Sequence, residues 1–223
     1  MQHAIKKRGI TMSDIKALNE AIIKGDIQTA LSLTQNAVDA GKKAQDILDQ
    51  GLIAAMDQVG DKFATGEMFV PQMLRSAKAM QECLKLIKPQ FQEGDLTSKG
   101  KVVIGTVKGD LHDIGKNLVA MMMEGAGFTI TDLGVDVSAD TFLQKTQEVE
   151  PDILAMSALL STTMPGMRET IETLRKAGIK DKVMVMIGGA PVTANFASEI
   201  KADAYAPDAG SAVIEAKKIL GIT

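Results

Sequence analysis

The sequence predicts an α/β protein in two parts, an N-terminal four-helix bundle followed by a doubly wound, largely parallel sheet. Three observations predict it. Residues 12 to about 90 repeat apolar side chains at helical spacing and hold little strand character. From residue 101 onward, short β-branched runs alternate with helical stretches, as in a parallel sheet with crossover helices. Between the two, Pro89 to Gly100 is polar, contains Pro and Gly and has no period, the composition of a linker. The expected division is a helical bundle over 1–90, a linker over 91–100 and a sheet domain over 101–223.

Thr11-Met12-Ser13-Asp14 can cap a first helix, with Ile15, Leu18, Ile22 and Ile23 on one face. Gly25-Asp26 breaks it, and Ile27, Ala30, Leu31, Leu33, Ala37 and Val38 mark a second helix that Gly41 ends. Ala44, Ile47, Leu48, Leu52, Ala55, Met56 and Val59 recur at the spacing of a third α-helix, interrupted at Gly66. Pro71 sits where proline opens a helix, and Met73, Leu74, Ala77, Met80, Leu84 and Ile87 form its stripe. Four such helices with short connections make a small bundle. In the second half, strands are expected at 102–107, 128–133, 153–157, 183–187 and 204–206. Helices are expected at 116–126, 139–149, 165–177, 193–200 and 209–220.

Composition excludes several classes. A net charge of −3 offers no basic field for nucleic acid or an anionic membrane surface. No apolar run is long enough to span a bilayer, and neither a signal-peptide core nor an arginine-rich leader is present. The single cysteine, Cys83, forms no internal disulfide, which fits a reducing cytoplasm. The 14 methionines read first as flexible core filler in a helix-rich protein.

In doubly wound sheets, ligands bind beyond the carboxyl ends of the strands. Three unusual loops fall there: Gly109-Asp110-Leu111-His112-Asp113, Ser157 to Thr163, and Gly188-Gly189-Ala190-Pro191. His112 is the only histidine besides His3. A protein-built zinc or iron site needs three or four ligands, and neither His3 nor Cys83 is placed to help. No Gly-x-Ser-x-Gly elbow supports a hydrolase. The first turn lacks Gly-x-Gly-x-x-Gly, and Asp110 puts a carboxylate where a pyrophosphate would sit. One arrangement needs a single protein ligand, a macrocycle that supplies four equatorial nitrogens, and haem and corrinoid both meet it. Asp110, two residues before His112, can then accept the ring N–H that faces away from the metal. A hydroxyl from the loop after strand three can bond the carboxylate in turn.

Gly109-Asp110-Leu111-His112-Asp113-Ile114-Gly115-Lys116-Asn117 resembles the Asp-x-His-x-x-Gly signature of cobalamin-binding domains. Ser157-Ala158-Leu159 resembles that family's Ser-x-Leu, and Gly188-Gly189 its Gly-Gly. Met68-Phe69-Val70-Pro71-Gln72-Met73-Leu74 is similar to the segment that caps the cofactor in methionine synthase. Residues from about 10 to 220 therefore resemble a corrinoid methyl-carrier protein of methylamine- or methanol-type methyltransferase systems.

The resemblance implies a Rossmann-like cobalamin-binding domain with cobalt-containing cobalamin as cofactor. It implies His112 as the lower cobalt ligand, Asp110 bonded to it, and Thr163 as the hydroxyl completing the relay, where methionine synthase has serine. Gly109, Leu111, Asp113 and Gly115 belong to the same motif. Ser157, Leu159, Gly188 and Gly189 would line a slot for the displaced nucleotide tail, with Ser161 and Ala209 beside it. Small side chains there would leave the tail room. The implied role is a carrier subunit, taking a methyl group from a substrate-specific methyltransferase and delivering it to a second one acting on coenzyme M or tetrahydrofolate. A reductive activase would be a further partner, and the bundle would shield the cofactor. Two other classes use the same binding domain. A mutase subunit needs a substrate barrel, which is not encoded here and which another chain would supply, and a cobalamin-based sensor needs a basic DNA-reading helix, which the first seventy residues lack.

Overall fold

The computed structural model describes residues 12–90 and 98–222. They form two compact units that divide between Thr97 and Ser98. Most of the expected linker, residues 91–97, lies outside the described residues, as do Thr11 of the expected first cap and His3.

The first unit is helical. Helices α1 (Met12–Lys24) and α2 (Ile27–Asp39) meet at Gly25-Asp26, where Asp26 caps α2 by accepting the Thr29 N–H at 3.1 Å. Gly25 has φ +67°, and a Cβ there would lie 2.6 Å from Arg75 Cβ, so this corner must be glycine. Helix α3 (Ala44–Asp46) runs through a π-helical stretch, Ile47–Ile53, into α4 (Ala54–Ala64). The expected third α-helix is thus helical throughout but widened in its middle. Gly51 allows the contact, since a Cβ there would lie 2.8 Å from Leu18 Cδ2 of α1. Asn19 of α1 braces the stretch, its Nδ2 donating to Gln50 O (3.0 Å) and Gly51 O (2.5 Å). Helix α5 (Val70–Ile87) opens with Pro71 in its first turn, and Gln72 Oε1 accepts the Phe69 N–H at 3.0 Å. Leu18, Ile22, Leu52, Met56, Met73 and Met80 are buried together with Cys83, so the methionines here are core. Burial pushes the Cys83 thiol up.

Ser76 of α5 is fully buried and donates to Ile23 O of α1 at 2.9 Å. Ser76→Ala removes that partner and is expected to cost about 1–2 kcal/mol. Urea denaturation followed by circular dichroism checks it, and an unchanged midpoint would show the bond to be idle.

The second unit is a five-stranded parallel sheet in the order β2-β1-β3-β4-β5. Its strands are β1 (Lys101–Thr106), β2 (Thr129–Asp132), β3 (Ile153–Ser157), β4 (Met184–Gly188) and β5 (Ala204–Ala206). Helices α6 (Ile114–Gly125), α7 (Ala139–Val149), α8 (Pro165–Lys176), α9 (Ala194–Ile200) and α10 (Ala209–Ile219) connect and flank them. The apolar runs of β1, β3 and β4 are buried on both faces, as a covered parallel sheet requires. Val103, Leu154, Met156, Val185 and Ile187 join Phe142, Met167, Ile171 and Leu174 in one core layer. The alternate residues Val102, Ile104, Ile153 and Met186 are buried toward the other face, where α6 packs on β1 and on α10.

Register brings the strand ends level. Thr106 pairs with Ser157, Ser157 with Gly188, and Gly188 with Ala206. Four strands therefore end at one level, and their loops leave from a common edge. The chain passes from β1 outward to β2, then returns to place β3 on the other side of β1. This reversal makes the crevice between the β1 and β3 loops the switch point of the sheet.

Candidate functional site

Asp110 and His112 stand in the loop after β1, and Leu159, Leu160 and Thr163 in the loop after β3. The Asp110 carboxylate joins the two loops across the switch point. Its Oδ1 accepts from the His112 backbone N–H at 3.1 Å and lies 2.7 Å from His112 Nδ1. Its Oδ2 accepts from Leu159 N–H (2.7 Å), Leu160 N–H (3.3 Å) and the Thr163 hydroxyl (2.7 Å). Thr163 Oγ1 is also 2.8 Å from Leu160 O; its one proton favours the carboxylate, the stronger acceptor.

Asp110 is fully buried. Burial opposes its ionisation, but hydrogen bonds from Thr163, His112 and Leu159 outweigh it and hold the carboxyl well below the usual range. An ionised carboxylate this close to Nδ1 assigns the ring proton to Nδ1 and leaves the lone pair of a neutral imidazole on Nε2. Half of the His112 side chain, 51%, is exposed, and Nε2 has no hydrogen-bond partner among the described residues. Thr106 Oγ1 donates to His112 O at 2.9 Å and pins the loop to the end of β1.

The remaining expected residues fall into place by layer. Gly109 precedes Asp110 with φ +81°. Asp113 is the cap residue of α6, and its Oδ2 accepts from Asn117 Nδ2 at 3.0 Å. Gly115 is not a loop residue. Helix α6 begins at Ile114, two residues before the expected start, so Gly115 lies in its first turn with open space where a Cβ would be. Ser157 and Gly188 sit side by side at the strand ends. Ser161 is exposed in the β3 loop, whereas Ala209, the first residue of α10, is 3% exposed. Neither forms part of the hydrogen-bonded group around Asp110.

The two strand-end glycines are required by the chain itself. A Cβ on Gly188 would lie 2.7 Å from Ala206 O, and one on Gly189 only 1.9 Å from Ala158 O. The chain's own backbone forbids a side chain at either position.

Several participants were missed in the reading of the sequence. The N–H groups of Leu159 and Leu160 are backbone, which residue types do not reveal. Lys116 is buried in α6, with Nζ 2.5 Å from Asp132 Oδ2 and 2.6 Å from Asn117 Oδ1. A lone lysine among the apolar residues of α6 was the signal that could have found it. Asp136, after β2, accepts the Gly109 N–H at 2.7 Å.

Among the described residues, no three or more His, Cys, Asp or Glu side chains cluster as a metal site. Among these residues, His112 Nε2 therefore stands apart from any cluster of protein donors. Leu111 (71% exposed), Ile114 (84%), Leu159 (43%) and Leu160 (42%) put exposed apolar surface on the same two loops and the start of α6. A broad organic face carrying a metal suits that combination. In the helical unit, Phe69, Val70 and Leu74 are exposed at the start of α5. No described helix is long and apolar enough to cross a membrane.

Comparison with known proteins agrees with this chemistry. Two family models, each described as a B12 binding domain, match residues 100–215 and 14–88. A corrinoid protein of Desulfitobacterium hafniense is 42% identical over 94% of this chain and 99% of its own length. A trimethylamine corrinoid protein of Methanosarcina barkeri is 40% identical over 93% of this chain and 97% of its own. Among solved structures, the methanol:cobalamin methyltransferase complex of Methanosarcina barkeri matches with a TM-score of 0.85 at 32% identity. The match covers 96% of this chain and 82% of that one. A cobalamin-binding protein of Desulfitobacterium hafniense matches with a TM-score of 0.78 at 30% identity, covering 93% and 98% of the two chains. The fold, the lone outward imidazole and these matches agree: the chain belongs to the family of B12-binding corrinoid proteins.

Proposed function

We propose that this chain is a methyl carrier working between two methyltransferases. The first would serve a methylamine, a quaternary amine or a similar donor, and the second would act on coenzyme M or tetrahydrofolate. The observation that carries the reading is His112, half exposed, with one ring nitrogen 2.7 Å from a buried carboxylate and the other without a hydrogen-bond partner among the described residues. The relatives named for trimethylamine and dimethylamine, and the complex named for methanol, support the substrate class. A reductive activase would be the third partner, and the cytoplasm the setting. The chain is then a subunit, incomplete as an enzyme by itself.

When bound, cobalamin supplies a cobalt centre able to take up and give up a methyl group. The protein's part is to present and withdraw a ligand. His112 Nε2 would be the cobalt's protein ligand, with Asp110 fixing the tautomer that exposes its lone pair. Thr163 and the Leu159 N–H keep Asp110 ionised, so a proton taken up at a released Nε2 yields an imidazolium facing a carboxylate. The same carboxylate would thus face the imidazole whether Nε2 holds the cofactor's metal or a proton. Leu111, Ile114, Leu159 and Leu160 would lie against the apolar part of the cofactor, and Ser157, Gly188 and Gly189 near its tail.

Two measurements test this. Reconstitution with hydroxocobalamin should give an absorption spectrum that His112→Ala changes to that of cofactor lacking an imidazole ligand. An identical spectrum would remove His112 from the role. The reduced, reconstituted protein should also acquire radiolabel from a methylamine or methanol donor in the presence of the matching purified methyltransferase. If a panel of such enzymes labels free cobalamin but never this protein, the carrier function is wrong.

A further inference from the structure

Among the described residues, three that are not glycine have left-handed backbone conformations: Asp136 (φ 54°), Glu150 (φ 48°) and Lys201 (φ 61°). Two of them are accounted for by helix ends, since Glu150 closes α7 and Lys201 closes α9. Asp136 ends no helix. It stands between β2 and α7, in a conformation that a residue with a Cβ adopts at a cost unless its surroundings hold it there.

What holds it is the histidine loop. The Asp136 carboxylate accepts the Gly109 N–H at 2.7 Å, and the Asp136 N–H donates to Asp110 O at 3.0 Å. These two bonds enclose the peptide that leads into the Asp110 side chain. The flanking residues anchor the turn to the sheet. Thr106 N–H donates to Gly134 O at 2.9 Å, Val137 N–H donates to Thr106 O at 2.9 Å, and Gly134 N–H donates to Asp132 Oδ1 at 2.9 Å. Asp132 is in turn paired with buried Lys116. The histidine loop is therefore gripped from both sides, through Asp110 by the β3 loop and through Gly109 and Asp110 by the turn after β2.

We propose that Asp136 is a positioning residue for His112, its carboxylate and backbone N–H setting the Gly109–Asp110 peptide so that Asp110 meets Nδ1. Glycine would relax the backbone here but could not accept the Gly109 N–H, whereas asparagine both tolerates this conformation and offers an acceptor oxygen. The choice of an acid over glycine is what points to the side chain as the working part. The consequence for cobalamin affinity rests on the reading of His112 as the cobalt ligand; the consequence for the imidazole itself does not.

The experiment compares Asp136→Asn, Asp136→Gly and Asp136→Ala in the full chain. In the apoprotein, at a pH where the nitrogen shifts no longer change with further base, side-chain nitrogen NMR reports which ring nitrogen of His112 carries the proton. The wild-type protein and Asp136→Asn should show the proton on Nδ1, while Gly and Ala should give mixed tautomers. Hydroxocobalamin should bind the Gly and Ala variants about tenfold more weakly, the lower end of what losing an outer support of a metal ligand brings. A Gly variant equal to wild type in both readouts would overturn the proposal, leaving Asp136 as a backbone conformer only. So would an Ala variant that keeps the Nδ1 tautomer and wild-type affinity. If His112→Ala leaves the cofactor spectrum unchanged, the cobalt-ligand reading fails, and the tautomer comparison still decides the role of Asp136.

Discussion

Replacing Gly189 with alanine should be the most damaging single-methyl addition in the sheet domain. The new Cβ would lie 1.9 Å from Ala158 O and 2.9 Å from its carbonyl carbon, with φ +126°. No rotamer relieves an overlap with backbone, and that φ is open essentially to glycine alone. Ala158 cannot retreat cheaply, because its N–H donates to Gly188 O at 3.2 Å and it follows a strand paired on both sides. The expected loss is about 3 kcal/mol or more, from strain at a special backbone conformation combined with overpacking. Gly115→Ala is the control. It adds the same methyl group where nothing lies within 4 Å and where the backbone is helical, so stability should hold or rise by up to about 1 kcal/mol. Urea midpoints of the two variants should move apart. A Gly189→Ala midpoint equal to wild type would mean that the β3 and β4 loops do not approach as described.

The second large effect concerns Asp110. Asp110→Ala removes the acceptor of five contacts at once; the Thr163 hydroxyl can turn to Leu160 O, but the Leu159, Leu160 and His112 N–H groups and His112 Nδ1 are left without it. Each buried donor left without an acceptor costs about 1–3 kcal/mol. Water entering from the exposed His112 side recovers part of this, so about 3–5 kcal/mol is expected. Asp110→Asn keeps the volume but turns one acceptor into a donor facing donors, and it should also destabilise the protein.

The depressed carboxyl also fixes the direction of a pH effect. The folded state binds the Asp110 proton more weakly than the unfolded chain, whose ordinary value is 3.8. Stability from this group is therefore fully present above that value and is lost as pH falls from it toward the lower folded value. Between about pH 7 and pH 3, wild type should lose more stability than Asp110→Asn, which has no such proton to bind. Equal losses in the two proteins would show that Asp110 is not held ionised by its partners.

Much of this site was legible in the order of residues alone. Strand and helix periods located β1, β3 and β4, and the rule that ligands bind at the carboxyl ends of parallel strands picked out three loops. Counting ligands around one histidine pointed to a macrocycle, and the motif resemblance narrowed that to a corrinoid. Other features were out of reach because they depend on distant parts of the chain. The π-helical stretch at Ile47–Ile53 depends on the approach of Leu18 and the side chain of Asn19 from another helix, so the local apolar period reads as ordinary α-helix. Gly188 and Gly189 were legible as positions where side chains are forbidden, but the forbidding atoms are Ala206 O and Ala158 O.

Sequence alone determined the two-part architecture and singled out the loop holding Asp110 and His112 that we propose carries the chemistry, because side-chain period and residue type are local properties. Tertiary structure alone decided why that loop can work. The common level of Thr106, Ser157, Gly188 and Ala206 comes from strand register. The ionisation of Asp110 is held first by the Thr163 hydroxyl, 53 residues away, then by His112 and the Leu159 N–H. The second grip, by Asp136, comes from a turn 27 residues beyond Gly109. Backbone donors look the same in every residue, so only the fold reveals which of them meet a buried carboxylate.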